Sequence, residues 1–192
     1  DSRPGHQACS RQARAQLTRS APSSTATPDR ASSVTASPDP LLPRADWVPH
    51  TQLLLDSFAR LLGRELISRA GAPEQQALQL FAADFVVVSA DASADPLLSY
   101  GNQTALRLWE MDIETLLATP ARHTAEPVHR DERQQLLDRT RDRGYVDDYA
   151  GIRISSSGKR FRIEKAIVWN LTDAAGASCG QAATFDRWVP LP

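Results

Sequence analysis

The stretch HTAEPVH places His123, Glu126 and His129 within seven residues, all groups of the kind that hold a transition metal. Their spacing matches neither the two-histidine helix of a zinc protease nor any finger pattern. Pro127 also breaks the helix that would bring both imidazoles to one face. A hydrogen-bonded loop is the better reading, and no metal is assigned. Asp147 and Asp148 beside Tyr149 offer an acid–base pair. A small lyase, isomerase or hydrolase would use His123 with Asp147 or Asp148, provided that these groups converge across one cavity. The plainer reading of the two aspartates is a solvated strand entrance, or a partner for Arg143. SSSGKR looks like a phosphate loop but joins two strands. A phosphate loop needs a helix after it and a Gly five residues ahead of the Gly-Lys pair. No GxSxG elbow occurs, and Cys179 lies in a turn, so no catalytic residue is assigned.

The aromatic residues carry more. Trp109, Tyr149, Phe161 and Trp169 are spaced to surround an apolar pocket, with Arg122 and His123 as its polar contacts. Such a pocket takes a small apolar or aromatic ligand, and the sequence names no cofactor. The competing reading is that these rings simply fill the core. Lys165 interrupts the alternation of Phe161, Ile163, Ile167 and Trp169: it snorkels, a bulge rotates it away, or it reaches a ligand.

The elements that must position these residues follow from periodicity. Thr51 to Ser68 sets Leu54, Phe58, Leu61 and Leu62 on one side, which predicts an amphipathic helix, with Thr51 as its cap. Its apolar stripe serves either the chain's own sheet or a second subunit. GAP ends it, and EQQALQLFAA starts a second helix. FVVVS reads as a central strand and PLLSY as a short one. Gly101 and Asn102 then switch strand to helix: Gly101 allows the bend, and the Asn102 side chain caps the first turn of Gln103 to Met111. Asp131 to Gly144 predicts a further helix. From Tyr149 the period becomes two. YAGIRIS and RFRIEKAIVWN flank a Ser-Gly turn, and a symmetric loop sets Ile154 opposite Phe161 and Arg153 opposite Arg162. Two like charges across a hairpin repel, so that register calls for a carboxylate such as Glu164 or a bound anion. The strand CGQAATFDRW closes the series.

Residues 1–46 hold six Pro, eight Ser and four Thr against few large aliphatics, too little apolar surface to offset ordering entropy. This tail is expected to be disordered, leaving one domain over 47–192. Its Arg, Ser, Thr and Ala have the composition of an organelle transit peptide, against which Asp29 and Asp39 weigh. The expected location is intracellular, cytoplasmic or plastid, and not secreted. The two cysteines, Cys9 and Cys179, make no disulfide framework. No apolar run is long enough to span a bilayer. The body carries 16 basic and 19 acidic residues without a basic stripe, which argues against direct nucleic-acid binding.

The fold class is therefore α+β: a five-stranded antiparallel sheet with helices over one face, preceded by an amphipathic helix and a tail. On YGNQTALRLWE, PARHTAEP, DDYAGIRISSSGKRFRIEKAIVWN and GQAATF the body resembles the MEKHLA domain, a PAS-related family. The resemblance covers roughly 48–188. It implies a PAS-like sensory or regulatory fold of the free-standing type, without a known reaction. The expected functions are a sensory domain that binds a small molecule, a partner or both; an interaction module dimerising through Thr51–Ser68; or the small enzyme above.

Overall fold

The computed structural model describes residues 44–125, 140 and 143–192. Expectations for the tail up to residue 43, for Glu126 and His129, and for most of the Asp131–Gly144 helix fall outside the described residues.

Helix α1, Trp47–Leu62, begins and ends earlier than the pattern predicts. Gly63 closes it in the left-handed conformation (φ 69°), where its N–H reaches Ala59 O. Thr51 lies inside the helix and is fully buried rather than capping it. Helix α2, Pro73–Phe81, opens with Pro73 in the first turn, and the Gln75 side chain accepts the Ala72 N–H at 3.0 Å.

Among the described residues six strands form one antiparallel sheet: β1 (Val86–Ala90), β2 (Leu98–Gly101), β3 (Tyr145–Ile154), β4 (Arg160–Thr172), β5 (Ser178–Phe185) and β6 (Arg187–Pro190). Five run in the order β2-β1-β5-β4-β3. The short β6 is additional and pairs with the first half of β4, whose second half pairs with β5. Between β2 and β3 come α3 (Gln103–Trp109), α4 (Ile113–Leu117) and a 3-10 turn (Ala121–Thr124).

The expected helix layer over one face is α3, α4 and the 3-10 turn. Helix α1, whose stripe was expected to serve the chain's own sheet or a second subunit, closes the opposite face. Leu54, Leu55 and Phe58 have no exposed surface and pack with Val87, Trp169, Leu171 and Ala182, joined by Leu80 and Phe81 of α2. Each such side chain contributes about 1.5–3 kcal/mol by leaving water. The apolar stripe is thus spent on the chain's own sheet. Of the two uses expected for the Thr51–Ser68 stripe, packing on the chain's own sheet is the one observed. The other face buries Val86, Ala105, Trp109, Phe161, Ile163, Ala166 and Phe185.

Two irregularities reset the expected faces of β3 and β4. The hairpin loop is the odd-length one: Gly158 N–H bonds Ser155 O (3.0 Å), Ser155 N–H bonds Lys159 O (2.9 Å), and Gly158 sits at φ 87°. That slips the register by one, so Arg153 faces Phe161 and Ile152 faces Arg162. The repelling Arg153–Arg162 pair does not form. Further along, Lys165 takes φ 50° and the register shifts between Ile163 and Ala166, a bulge that turns Lys165 out to solvent. Of the three alternatives for Lys165, the bulge is the one observed.

Candidate functional site

The site begins at the Gly-Asn switch. Asn102 is fully buried, and its Oδ1 accepts from Ala105 N–H (3.1 Å) and Val87 N–H (3.0 Å) while Nδ2 donates to Phe85 O (2.7 Å). One side chain therefore caps α3 and fastens it to β1. Thr104 adds a bond from Oγ1 to Ala83 O at 2.8 Å. The result is a short helix held at a fixed height over the sheet, with Trp109 at its end packed edge-on to Phe161 (5.5 Å) and Phe185 (6.1 Å).

Between this layer and the sheet lies a cavity of about 740 Å³. Its floor is Val88 and Ala90 of β1, Gln181 and Ala183 of β5, and Ile163, Val168 and Asn170 of β4. Trp109, Ala121 and Thr124 line the helical side, the Asp91–Pro96 loop forms one wall, and Tyr149 and Arg153 of β3 stand opposite. The volume is that of small-molecule sites, about 300–1,000 Å³, as is a mostly apolar lining with a few polar groups. Gly180 keeps the floor flat: at φ 127° a Cβ there would sit 2.0 Å from Ala90 O.

Most polar groups of the lining are already matched. Asp91 Oδ1 accepts from Ser93 N–H and Leu97 N–H, both at 3.1 Å, and from the Ser93 hydroxyl. Asp95 pairs with Arg122 at the rim. Gln181 Nε2 donates to Asn170 Oδ1 (3.0 Å), and Asn170 Nδ2 donates to Thr140 O (3.1 Å). Arg153 folds over the Tyr149 ring with its guanidinium carbon 5.3 Å from the centroid, and donates to the Tyr149 hydroxyl at 3.0 Å.

Two further clusters flank the cavity. Glu110, left-handed at φ 55°, ends α3 and receives Lys159 Nζ, the Ser157 hydroxyl and the Ser155 hydroxyl (2.8 Å). Ser156 N–H reaches Trp109 O at 3.0 Å, and its hydroxyl reaches Glu110 O at 2.7 Å. Those bonds, with Lys159 foremost, hold the Glu110 carboxyl down to about 2. The SSSGK turn is therefore a receptor for Glu110, a role that sequence reading missed. On the α1 side, His50 Nε2 lies 2.9 Å from Ser89 Oγ, itself 2.8 Å from Ser99 Oγ. Burial pushes the His50 imidazole down to about 4, so it is neutral at pH 7.

Of the residues expected to surround one pocket, the structure brings Trp109, Tyr149 and Arg122 to the cavity. Phe161 stands behind Trp109, outside the lining. Trp169 is on the other face, edge-on to Phe58 at 5.1 Å. The Lys165 bulge inserts one residue, so Phe161 and Ile163 continue as Ala166 and Val168 while Ile167, Trp169 and Leu171 turn toward α1. His123 is exposed and lines neither this cavity nor the smaller polar pocket that holds Asp147 and Asp148 with Arg143 and Tyr145. The convergence that the enzyme reading requires is not present there. Among the described residues no His/Cys/Asp/Glu group could hold a metal. Cys179, expected to stand outside any disulfide, is disulfide-bonded. Arg153, Asn170 and Gln181 went unrecognised. The slipped register brings Arg153 to this face and the bulge brings Asn170; neither is readable from residue types alone.

A single antiparallel sheet with short helices and a cavity on one face, and a helix packed across the other, is a PAS-like α+β fold. The family model for the MEKHLA domain matches residues 48–190, and the chain belongs to that family. Among solved structures, the PAS domain of a protein from Colwellia psychrerythraea matches with a TM-score of 0.52 at 12% identity, over 61% of this chain and 94% of that one. An RNA-binding light-oxygen-voltage receptor matches with a TM-score of 0.50 at 18% identity, over 65% of this chain and 35% of that one. At such identities the likeness is one of fold. Comparison with curated proteins gave no match. No helix among the described residues is long and apolar enough to cross a membrane.

Proposed function

We propose that residues 47–192 form a sensory or regulatory domain whose signal is a small molecule with an apolar or aromatic body, held between the sheet and α3. The observation that carries this reading is the cavity of about 740 Å³ with Trp109 and Tyr149 among its lining residues. In this reading Trp109, Ile163 and Val168 contact the apolar body, and Arg153, Asn170 and Gln181 orient it. Occupancy bears on Trp109 and so on Glu110, the next residue, which fixes the β3–β4 turn through its serine and lysine bonds. A ligand that favours one position of that turn shifts the population of a surface element that a partner can read. Native mass spectrometry of freshly purified chain tests the proposal. A small molecule released on denaturation is the expected result, and an empty interior that admits no candidate ligand removes it.

A further inference from the structure

The charged groups around the cavity are equal in number but not all paired. Four charged residues line it: Asp91, Asp95, Arg122 and Arg153. Asp91 is held in its own loop by three donors to Oδ1, and Asp95 and Arg122 pair with each other. Arg153 donates only to neutral oxygens, the Tyr149 hydroxyl and Ile152 O, both at 3.0 Å. None of the ion pairs among the described residues includes it. A guanidinium has five N–H donors in a fork suited to a carboxylate, and a half-buried one without an anion is left under-used. A second donor lies in the same neighbourhood. The Trp109 indole N–H is buried and has no acceptor, and Trp109 touches Phe161, the residue directly across the hairpin from Arg153. The register slip therefore does more than avoid a clash with Arg162: it places a cation with no counter-ion among the described residues on the cavity side of the sheet.

We infer that the ligand of this cavity is an organic anion, a carboxylic acid with an apolar or aromatic body, whose carboxylate is received by the Arg153 guanidinium. The inference rests on the ligand-binding reading above and narrows it to a chemical class. The carboxylate supplies the acceptors that this end of the cavity lacks. The apolar body lies over Ile163, Val168 and Ala183, and the Asn170–Gln181 amide pair meets its far end. Arg122 is a poorer receiver because Asp95 already neutralises it.

The test uses the full chain with 3-phenylpropionate, decanoate and their uncharged primary amides, read by calorimetric titration and Trp fluorescence. The acids are expected to bind at least about tenfold more tightly than the matched amides. That preference should disappear in Arg153→Gln and persist in Arg153→Lys, with circular dichroism and urea midpoints confirming that both variants fold. Should the Gln variant fail to fold, the Lys variant and the acid–amide comparison on the unsubstituted chain still decide. Amides that bind as well as the acids, with Arg153→Gln unchanged, overturn the anion inference and leave the cavity reading standing. If no probe of either charge binds and no molecule co-purifies, both fall.

Discussion

The carboxamide oxygen of Asn102 accepts the backbone N–H of Val87 at 3.0 Å, so the residue that starts helix α3 also holds the start of strand β1. The same oxygen takes Ala105 N–H, and the amide nitrogen donates to Phe85 O. Asn102→Ala removes a helix cap and strands a buried N–H and a buried carbonyl. Caps are worth about 0.5–2 kcal/mol, and unsatisfied buried groups cost about 1–3 kcal/mol each. The expected loss in urea denaturation is about 3 kcal/mol, with helix α3 and the Trp109 environment perturbed first. A loss under about 1 kcal/mol would mean that water replaces the amide and that α3 is not fixed by this residue.

Glu110 gives the stability of the β3–β4 turn a pH signature. Its folded-state value is depressed from the ordinary carboxylate 4.5 to about 2, chiefly by Lys159 and then by Ser157 and Ser155. A depressed carboxylate contributes stability that is present above its unfolded value and lost as pH falls through its folded value. The difference in urea midpoint between the unsubstituted chain and Glu110→Gln is therefore expected to be constant above about pH 5 and to shrink between 4.5 and 2. A difference that does not vary with pH would assign the effect to packing instead of to the ionised clamp.

His50 works in the same direction and at milder pH. Burial lowers its folded value from 6.5 to about 4, so the unfolded chain binds the proton first. Stability is expected to fall as pH drops from 6.5 toward 4 and to level off below that. His50→Asn should flatten this slope in thermal melts while keeping a polar partner for Ser89. An unaltered slope in that variant would place the sensitivity elsewhere.

Much of the fold was legible because local chemistry agrees with global topology. Gly101 and Asn102 mark the strand-to-helix switch, the alternation after Tyr149 marks the meander, and Leu54 and Phe58 mark a helix face. The site was read less well, for identifiable reasons. The left-handed backbone of Lys165 carries no sequence mark of the kind Gly supplies, so the alternation ran through it and assigned Trp169 to the wrong face. The serine-rich hairpin fits loops of even and odd length alike, and only the observed bonds decide which of Ile152 and Arg153 faces inward. Glu110 and the SSSGK turn lie 45 or more residues apart in the chain, and neither suggests the other. Register and bulges are set by tertiary packing, and the polar lining of the cavity depends on both.

The central claim is that the space beside Trp109 is occupied in the working protein, and the mass of the freshly purified full chain addresses it most directly. Native spectra are predicted to show a species heavier than the chain by one small molecule, lost under denaturing conditions. The same species should be absent from Ala183→Leu, whose larger side chain fills the floor of the cavity. Native and denaturing masses that agree for both proteins, with no gain after incubation with the acids or amides above, would contradict it.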